Sequence, residues 1–320
     1  MISLIITVLN ENKSLGMWLE SIASQSILPD ELVIVDGGST DGTWELLQNL
    51  KITNVSCVVA QKIGNISSGR NEAIKLATGD IIVVTDAGCI YDKYWFKKIK
   101  EAFTERVNVV STGFGPWFDP SDGQRWYLIA AATTPASNEF KHDWLPSSRS
   151  VAFRKKVWEA VGGYPEWLPI CEDVIFDLKI KKAGYIIDYI REVLVFWRPR
   201  PSFKSYFLQL FRYTRGDGHG KLWFKRQLIR YGVYSVLAVI VILSFYNFDY
   251  LILAILAMPF YMKKFWLRYF EYTKNKSLYF RVSGVLLMPF IIAFGDLAKM
   301  SGWPIGVSQR LTKRIIFEKY

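Results

Sequence analysis

The chain has 320 residues, 40 Lys and Arg against 29 Asp and Glu, a formal charge of +11 and 51% hydrophobic residues. That apolar content excludes an intrinsically disordered chain, and 22 Gly and 12 Pro without a repeat exclude collagen-like and low-complexity classes. Three cysteines, Cys57, Cys89 and Cys171, are too few for a disulfide framework and fit a reducing compartment.

The chain opens MISLIITVLNEN, with no basic leader, so a signal peptide is not expected. Residues 3–8 read instead as a buried strand. A helical pattern follows at 15–25, then a strand at 31–35 ending at Asp36, a turn at 37–42 and a helix at 43–50. Residues 54–60 form the third predicted strand, 67–78 a helix, 80–85 the fourth strand ending at Asp86, and 94–103 a helix. Continuous apolar strands alternating with helices predict an α/β domain on a mostly parallel sheet.

Asp36 and Asp86 stand just past the carboxyl ends of strands, where ligands of open parallel sheets bind. An Asp there can meet a nucleobase, a ribose or a metal. For Asp36, followed by Gly-Gly-Ser-Thr-Asp-Gly, a turn role is an equal alternative. The first predicted strand leads into Asn10-Glu11-Asn12 without G-x-G-x-x-G, so a Rossmann dinucleotide site is excluded, and no P-loop is present.

Charge and hydrophobicity separate after Arg198. Residues 1–198 carry 21 Lys and Arg against 24 Asp and Glu, whereas residues 199–320 carry 19 against 5, a balance of +14. Phe203, Phe207, Leu210 and Phe211 fall at helical spacing with Lys204, Arg212 and Arg215 off that stripe. Residues 201–230 therefore read either as an amphipathic interfacial segment or as a helix packed on the front domain. Residues 231–248 and 250–262 are uncharged, and residues 282–298 carry one charge, Asp296. Basic clusters around Lys221–Arg230, Lys263–Arg281 and Lys299–Arg314 all prefer the cytoplasm by the positive-inside rule. The expectation is a two-pass hairpin at 231–262, with 282–298 re-entrant or interfacial and the catalytic domain, residues 1–200, cytoplasmic. The competing reading makes these the buried helices of a soluble domain. Basic residues beside apolar stretches are not a solvated stripe, so nucleic acid is not an expected partner.

The ordered segments IITVLNEN, SIASQSILPDELVIVDGGSTDGT, GRNEAIKLATGDIIVVTDAGC, SRSVAFRKKVWEAVGGYPE and CEDVIFDLKIKKAGY together resemble the inverting family 2 glycosyltransferases with their GT-A fold. The resemblance implies transfer from a nucleotide-sugar donor with Mg²⁺ or Mn²⁺ as cofactor. It places Thr7, Asn10, Glu11, Asp36, Arg70 and Asp86 at the donor, with Asp86 opening a D-x-D metal element. Asp173, beside Glu172, matches the general base. One departure stands out: Gly88 occupies the second D-x-D position. His219, in what reads as a Gly-rich loop (RGDGHG), is a candidate substitute ligand. Gln209 and Arg212 resemble a Q-x-x-R-W element at the acceptor end, with Tyr213 in place of Trp. Cys89 and Cys171, bordering the site, read as packing residues.

A lipid-linked or glycan acceptor at the bilayer is expected, because a soluble acceptor does not require an anchored catalyst. The competing class is a sugar-nucleotide-binding scaffold that has lost catalysis, for which Gly88 argues and the retained carboxylates argue against. Specificity is expected in residues 112–147, which have no readable code.

Overall fold

Strand β1 (Ile2–Val8) lies between β2 (Glu31–Asp36) and β4 (Ile81–Asp86), parallel to both, in a computed structural model that describes residues 1–103, 105–117, 125–134 and 145–312. β3 (Ser56–Gln61) continues the parallel set beyond β2. Helices α1 (Leu15–Ala23), α2 (Thr43–Gln48) and α3 (Ile66–Leu76) return the chain between these strands. Alternate residues supply two apolar layers. Leu4, Ile6, Leu32, Ile34 and Val83 pack with Trp18 and Trp95. Ile5, Val33, Val35, Ile82 and Val84 pack with Ala73, Ile74, Phe153 and Phe176. Each fully buried aliphatic side chain contributes about 1.5–3 kcal/mol, so a strand buried on both faces is held from both.

The sheet has eight strands in the order β3-β2-β1-β4-β7-β6-β8-β5. The remaining four are β5 (Cys89–Tyr91), β6 (Val109–Pro116), β7 (Ser150–Arg154) and β8 (Ile187–Trp197). β7 runs antiparallel to β4, pairing Ser150 with Thr85, so the start of β7 meets the carboxyl end of β4. β6 pairs antiparallel with β7 and parallel with β8. The helices here are α4 (Trp95–Ala102), α6 (Lys155–Ala160) and α7 (Glu172–Lys182).

The described residues divide into two compact units: residues up to 117 with 145–198, and residues 125–134 with 199–312. Part of the expected specificity segment, 118–124 and 135–144, lies outside the described residues, as do Lys313 and Arg314.

The second unit is helical: α5 (Arg125–Ala132), α8 (Phe203–His219), α9 (Phe224–Ser244), α10 (Asp249–Tyr272) and α11 (Leu278–Thr312). Ser202 and Ser205 form a reciprocal cap that starts α8 just after Pro201. α9, α10 and α11 have 21, 24 and 35 residues and are long and apolar enough to cross a membrane. Even 21 residues extend about 31 Å, against a hydrocarbon core of about 30 Å. Their apolar side chains point outward: Val236, Val239, Ile242, Leu253, Leu256 and Leu286 are all exposed.

Two expectations need correction. The third apolar stretch is not a short element: α11 runs uninterrupted through Pro289 and Pro304. Two prolines and Asp296 break the sequence pattern, but neighbouring helices in such bundles make up for the backbone bond a proline removes. Nor does His219 lie in a loop. Residues 215–219 complete α8, and His219 is 5% exposed.

Close backbone approach explains these helical glycines. A Cβ on Gly218 would stand 2.2 Å from the carbonyl oxygen of Trp303, one on Gly302 2.3 Å from that of Phe211, and one on Gly306 2.0 Å from that of Arg215. The glycines let α8 and α11 touch backbone to backbone. Gly306→Leu is therefore expected to destabilise this packing by about 1–3 kcal/mol or more. Gly232→Leu, whose Cβ meets nothing within 4 Å, should be tolerated. Thermal unfolding in detergent, followed by size-exclusion chromatography, compares the two.

Candidate active site

The register of the first unit sets Thr7 opposite both Val35 and Asp86, and Val8 opposite Asp36. The carboxyl edge of β1, β2 and β4 thus gathers three of the residues singled out in the sequence. Thr7 Oγ1 is buried there without a hydrogen-bond partner among the described residues. Gly69 of α3 makes room for it, since a Cβ at that position would stand 2.9 Å from Thr7 Cγ2.

Asp36 is fully buried. Its Oδ2 accepts from the Gly38 and Ser39 amides at 3.0 and 2.9 Å and from Gln61 Nε2 at 2.9 Å, and its Oδ1 accepts from the Ser39 hydroxyl. Burial works to raise its pKa, but the bonds from Gln61, Ser39 and Gly38 more than offset this and hold it below the usual value. The carboxylate organises the 37–42 turn, which Gly38 and Gly42 complete at φ of 98° and 93°.

Asn10, itself left-handed at φ 58°, locks the same turn: Oδ1 accepts from the Thr40 amide at 2.9 Å, and its own amide donates to Ser39 Oγ at 2.8 Å. The Glu11 amide donates to Thr43 Oγ1 at 2.9 Å, and the Glu11 carboxylate accepts from the Ser14 hydroxyl at the start of α1.

Arg70 links the two carboxylate elements. Its side chain, 2% exposed, donates through Nη2 to Asp86 Oδ1 at 3.0 Å and through Nη1 to Glu172 Oε1, and lies 5.3 Å from the Tyr164 ring centre. Burial opposes its charge, but Glu172 and Asp86 outweigh that and raise its pKa. Burial pushes Glu172 up to about 7, against the pull of the Arg70 guanidinium. Asp86 also faces Arg149 Nε at 3.9 Å.

Asp173, half-buried in the first turn of α7, accepts from the Val174 amide at 2.9 Å. A carboxylate is favoured at that helix end by the macrodipole. α7 is anchored by Ile175, Phe176 and Ile180, each fully buried, and by Tyr164 stacked on Phe176 at 4.1 Å.

Four residues escaped the sequence reading. Arg149 and Tyr164 fall in the segment 148–166 but match no familiar role. Tyr91 receives the Asp86 amide at 3.1 Å and donates to the Arg149 carbonyl at 2.8 Å, tying β5 to both. Asp177, one turn past Asp173, is buried with Oδ2 unpartnered among the described residues, and burial pushes its carboxyl well up. Burial also raises the Cys89 thiol to about 12, which makes it a packing residue rather than a nucleophile.

Gln209 and Arg212 lie on α8 in the second unit, where Gln209 Nε2 donates to Tyr213 Oη at 3.0 Å and Arg212 is exposed. His219 ends the same helix. Among the described residues no three His, Cys, Asp or Glu side chains gather to hold a metal. Asp86 stands as a single, partly exposed carboxylate with open space beside Gly88. Mg²⁺ is commonly held by one or two carboxylates together with substrate phosphates. The residues present therefore suit an ion that arrives with a diphosphate.

The family model Glycosyl transferase family 2 matches residues 3–162, half of the chain. The chain belongs to this family. It is 28% identical over 224 residues to the O-antigen chain rhamnosyltransferase RfbN of Salmonella typhimurium, covering 64% of the chain and 70% of that protein. It is also 28% identical over 229 residues to the succinoglycan biosynthesis protein ExoA of Rhizobium meliloti, covering 67% and 68%. In fold it is similar to the mannosyltransferase PcManGT of Pyrobaculum calidifontis, solved with GDP-Man and Mn²⁺ (TM-score 0.55, 18% identity, 98% of this chain and 88% of that one). The protein is a family 2 glycosyltransferase with a GT-A-like first unit followed by apolar helices.

Proposed function

We propose that this glycosyltransferase moves a sugar, with inversion, from a nucleotide-sugar donor at the β1–β2–β4 edge to a hydroxyl of a lipid-linked or glycan acceptor. The catalytic unit faces the cytoplasm, with Asp173 as general base. One observation carries the reading: the continuous link from Asp86 through Arg70 to Glu172, next to Asp173. It fixes the α7 N-terminus against the strand edge. Glu172 is committed to Arg70, whereas Asp173 is partly exposed and accepts only from its neighbouring amide among the bonds described.

In a single displacement the base approaches from the face opposite the leaving group. Asp173 takes the acceptor proton. Thr7, with its unpartnered hydroxyl, meets the nucleoside, and Asp36, Asn10 and Glu11 shape the loops around it. Asp86, with the donor phosphates, would hold a divalent ion, which would supply positive charge against the leaving diphosphate. The relatives' names, an O-antigen chain transferase and a succinoglycan biosynthesis protein, support an acceptor that is part of a growing glycan.

Purified full-length protein, incubated with a panel of nucleotide sugars with and without Mn²⁺, tests the reading. Turnover of one donor is expected, with the product anomer inverted by NMR. Failure to hydrolyse or transfer any donor overturns it, and retention of configuration overturns the inverting mechanism. Gly88→Asp, for which there is open space, is expected to lower the Mn²⁺ concentration giving half-maximal rate.

A further inference from the structure

Asp296 lies in the middle of α11, 3% exposed, where an ionised side chain between apolar helices needs a reason. Its Oδ1 accepts from Arg230 Nε of α9 at 3.2 Å and from Lys299 Nζ at 3.0 Å. Its Oδ2 accepts from Tyr234 Oη at 3.2 Å and from Tyr261 Oη of α10 at 3.5 Å. Lys264 of α10 lies within electrostatic reach of Lys299. Three helices thus bring two cations and two phenols to one carboxylate, with the exposed Lys264 near Lys299. A single carboxylate balances one cation, and uncompensated charge among apolar helices is costly.

The level of the cluster names the missing anion. Arg230 lies fourteen residues before the end of α9, and Tyr261 twelve residues after the start of α10. Both therefore stand about 20 Å from the 245–248 turn, on the side where Lys263, Lys264 and Arg268 follow. That leaves about 10 Å to the far boundary of an approximately 30 Å core, a depth from which long basic side chains snorkel toward a lipid head group. Tyr261 is 52% exposed, so the cluster opens outward. Arg, Lys and Tyr hydroxyls all donate, and phosphate oxygens accept.

We propose that Arg230, Lys264 and Lys299, at the junction of α9, α10 and α11, hold the phosphate of a membrane lipid whose head group is net negative. Two lipids present that group: the phosphate-linked carrier of an acceptor, which would make this the acceptor's anchoring point, and a bulk anionic phospholipid. The inference rests on the three helices spanning a bilayer and not on the transfer reading.

The full chain, reconstituted in phosphatidylcholine nanodiscs doped with either polyprenyl phosphate or phosphatidylglycerol, tests it by lipid retention in native mass spectrometry. Wild type is expected to retain an anionic phosphate lipid over the zwitterionic phosphatidylcholine. Arg230→Gln with Lys299→Gln should weaken retention about 25-fold, and the exposed Lys264→Gln alone about fivefold. Asp296→Asn, which removes the competing negative charge, should retain the lipid at least as well. Preference for polyprenyl phosphate assigns the site to the acceptor carrier, and equal or greater retention of phosphatidylglycerol assigns it to a bulk lipid. Equal retention of phosphatidylcholine, displacement by millimolar inorganic phosphate, or wild-type binding in both the double variant and Lys264→Gln overturns the proposal. Thermal stabilisation by nucleoside diphosphates, expected to be unchanged in the variants, reports that the first unit is folded. Donor turnover measured in the same nanodiscs separates failure of this site from failure of the transfer reading.

Discussion

Asp173→Asn is expected to lower kcat by about 10²- to 10⁴-fold, the range that general bases supply, while leaving nucleotide binding in place. The substitution keeps the shape of the side chain, and an amide oxygen still accepts from the Val174 amide. What it removes is the capacity to take a proton. Single-turnover kinetics, paired with a nucleotide titration by thermal shift, separates chemistry from binding. A variant with full kcat removes Asp173 as the base. Equal loss of rate and nucleotide affinity assigns the residue to donor binding instead.

Arg70→Leu should cost about 3–5 kcal/mol of stability, because it leaves Glu172 buried beside an apolar side chain and strips Asp86 of its closest cation. Donor affinity should fall with it, since Asp86 and the α7 N-terminus lose their common brace. Arg70→Lys should rescue little: one ammonium is not the planar fork that reaches two carboxylates at once. The midpoint of thermal unfolding, followed by tryptophan fluorescence, reads the effect. An unshifted midpoint in Arg70→Leu removes the brace from the account.

The first four strands were legible because each is a continuous β-branched run bounded by turn residues, and their edges fall within two residues of the expected ones. The other half of the sheet was not. β6 carries Thr112-Gly113-Phe114-Gly115, and β8 bends through register shifts opposite those glycines, so neither shows a clean period. The carboxylates of the site could be placed by chain order. The braces could not, because Arg70 and Glu172 are 102 residues apart in sequence and meet only in the folded sheet. Glycine misled at His219: a Gly-rich stretch reads as loop, whereas Gly218 is there so that α11 can approach. Asp296 misled in the same way, as a break in an apolar run that proves to be a helix-to-helix tie.

The join between β4 and β7 bears on how the chain is made. β4 is complete at Asp86, yet β7, which closes its free edge, begins at Ser150, and Glu172, the second partner of Arg70, comes later still. At about 5–20 residues per second a ribosome needs on the order of 4 to 17 s to add the 86 residues that follow Asp86 up to Glu172. The nascent amino-terminal half carries a bare strand edge until β7 is made, and an arginine with half its partners until Glu172 follows. Its native state becomes available only when α7 emerges, so a chaperone that shields the β4 edge has a defined window in which to act.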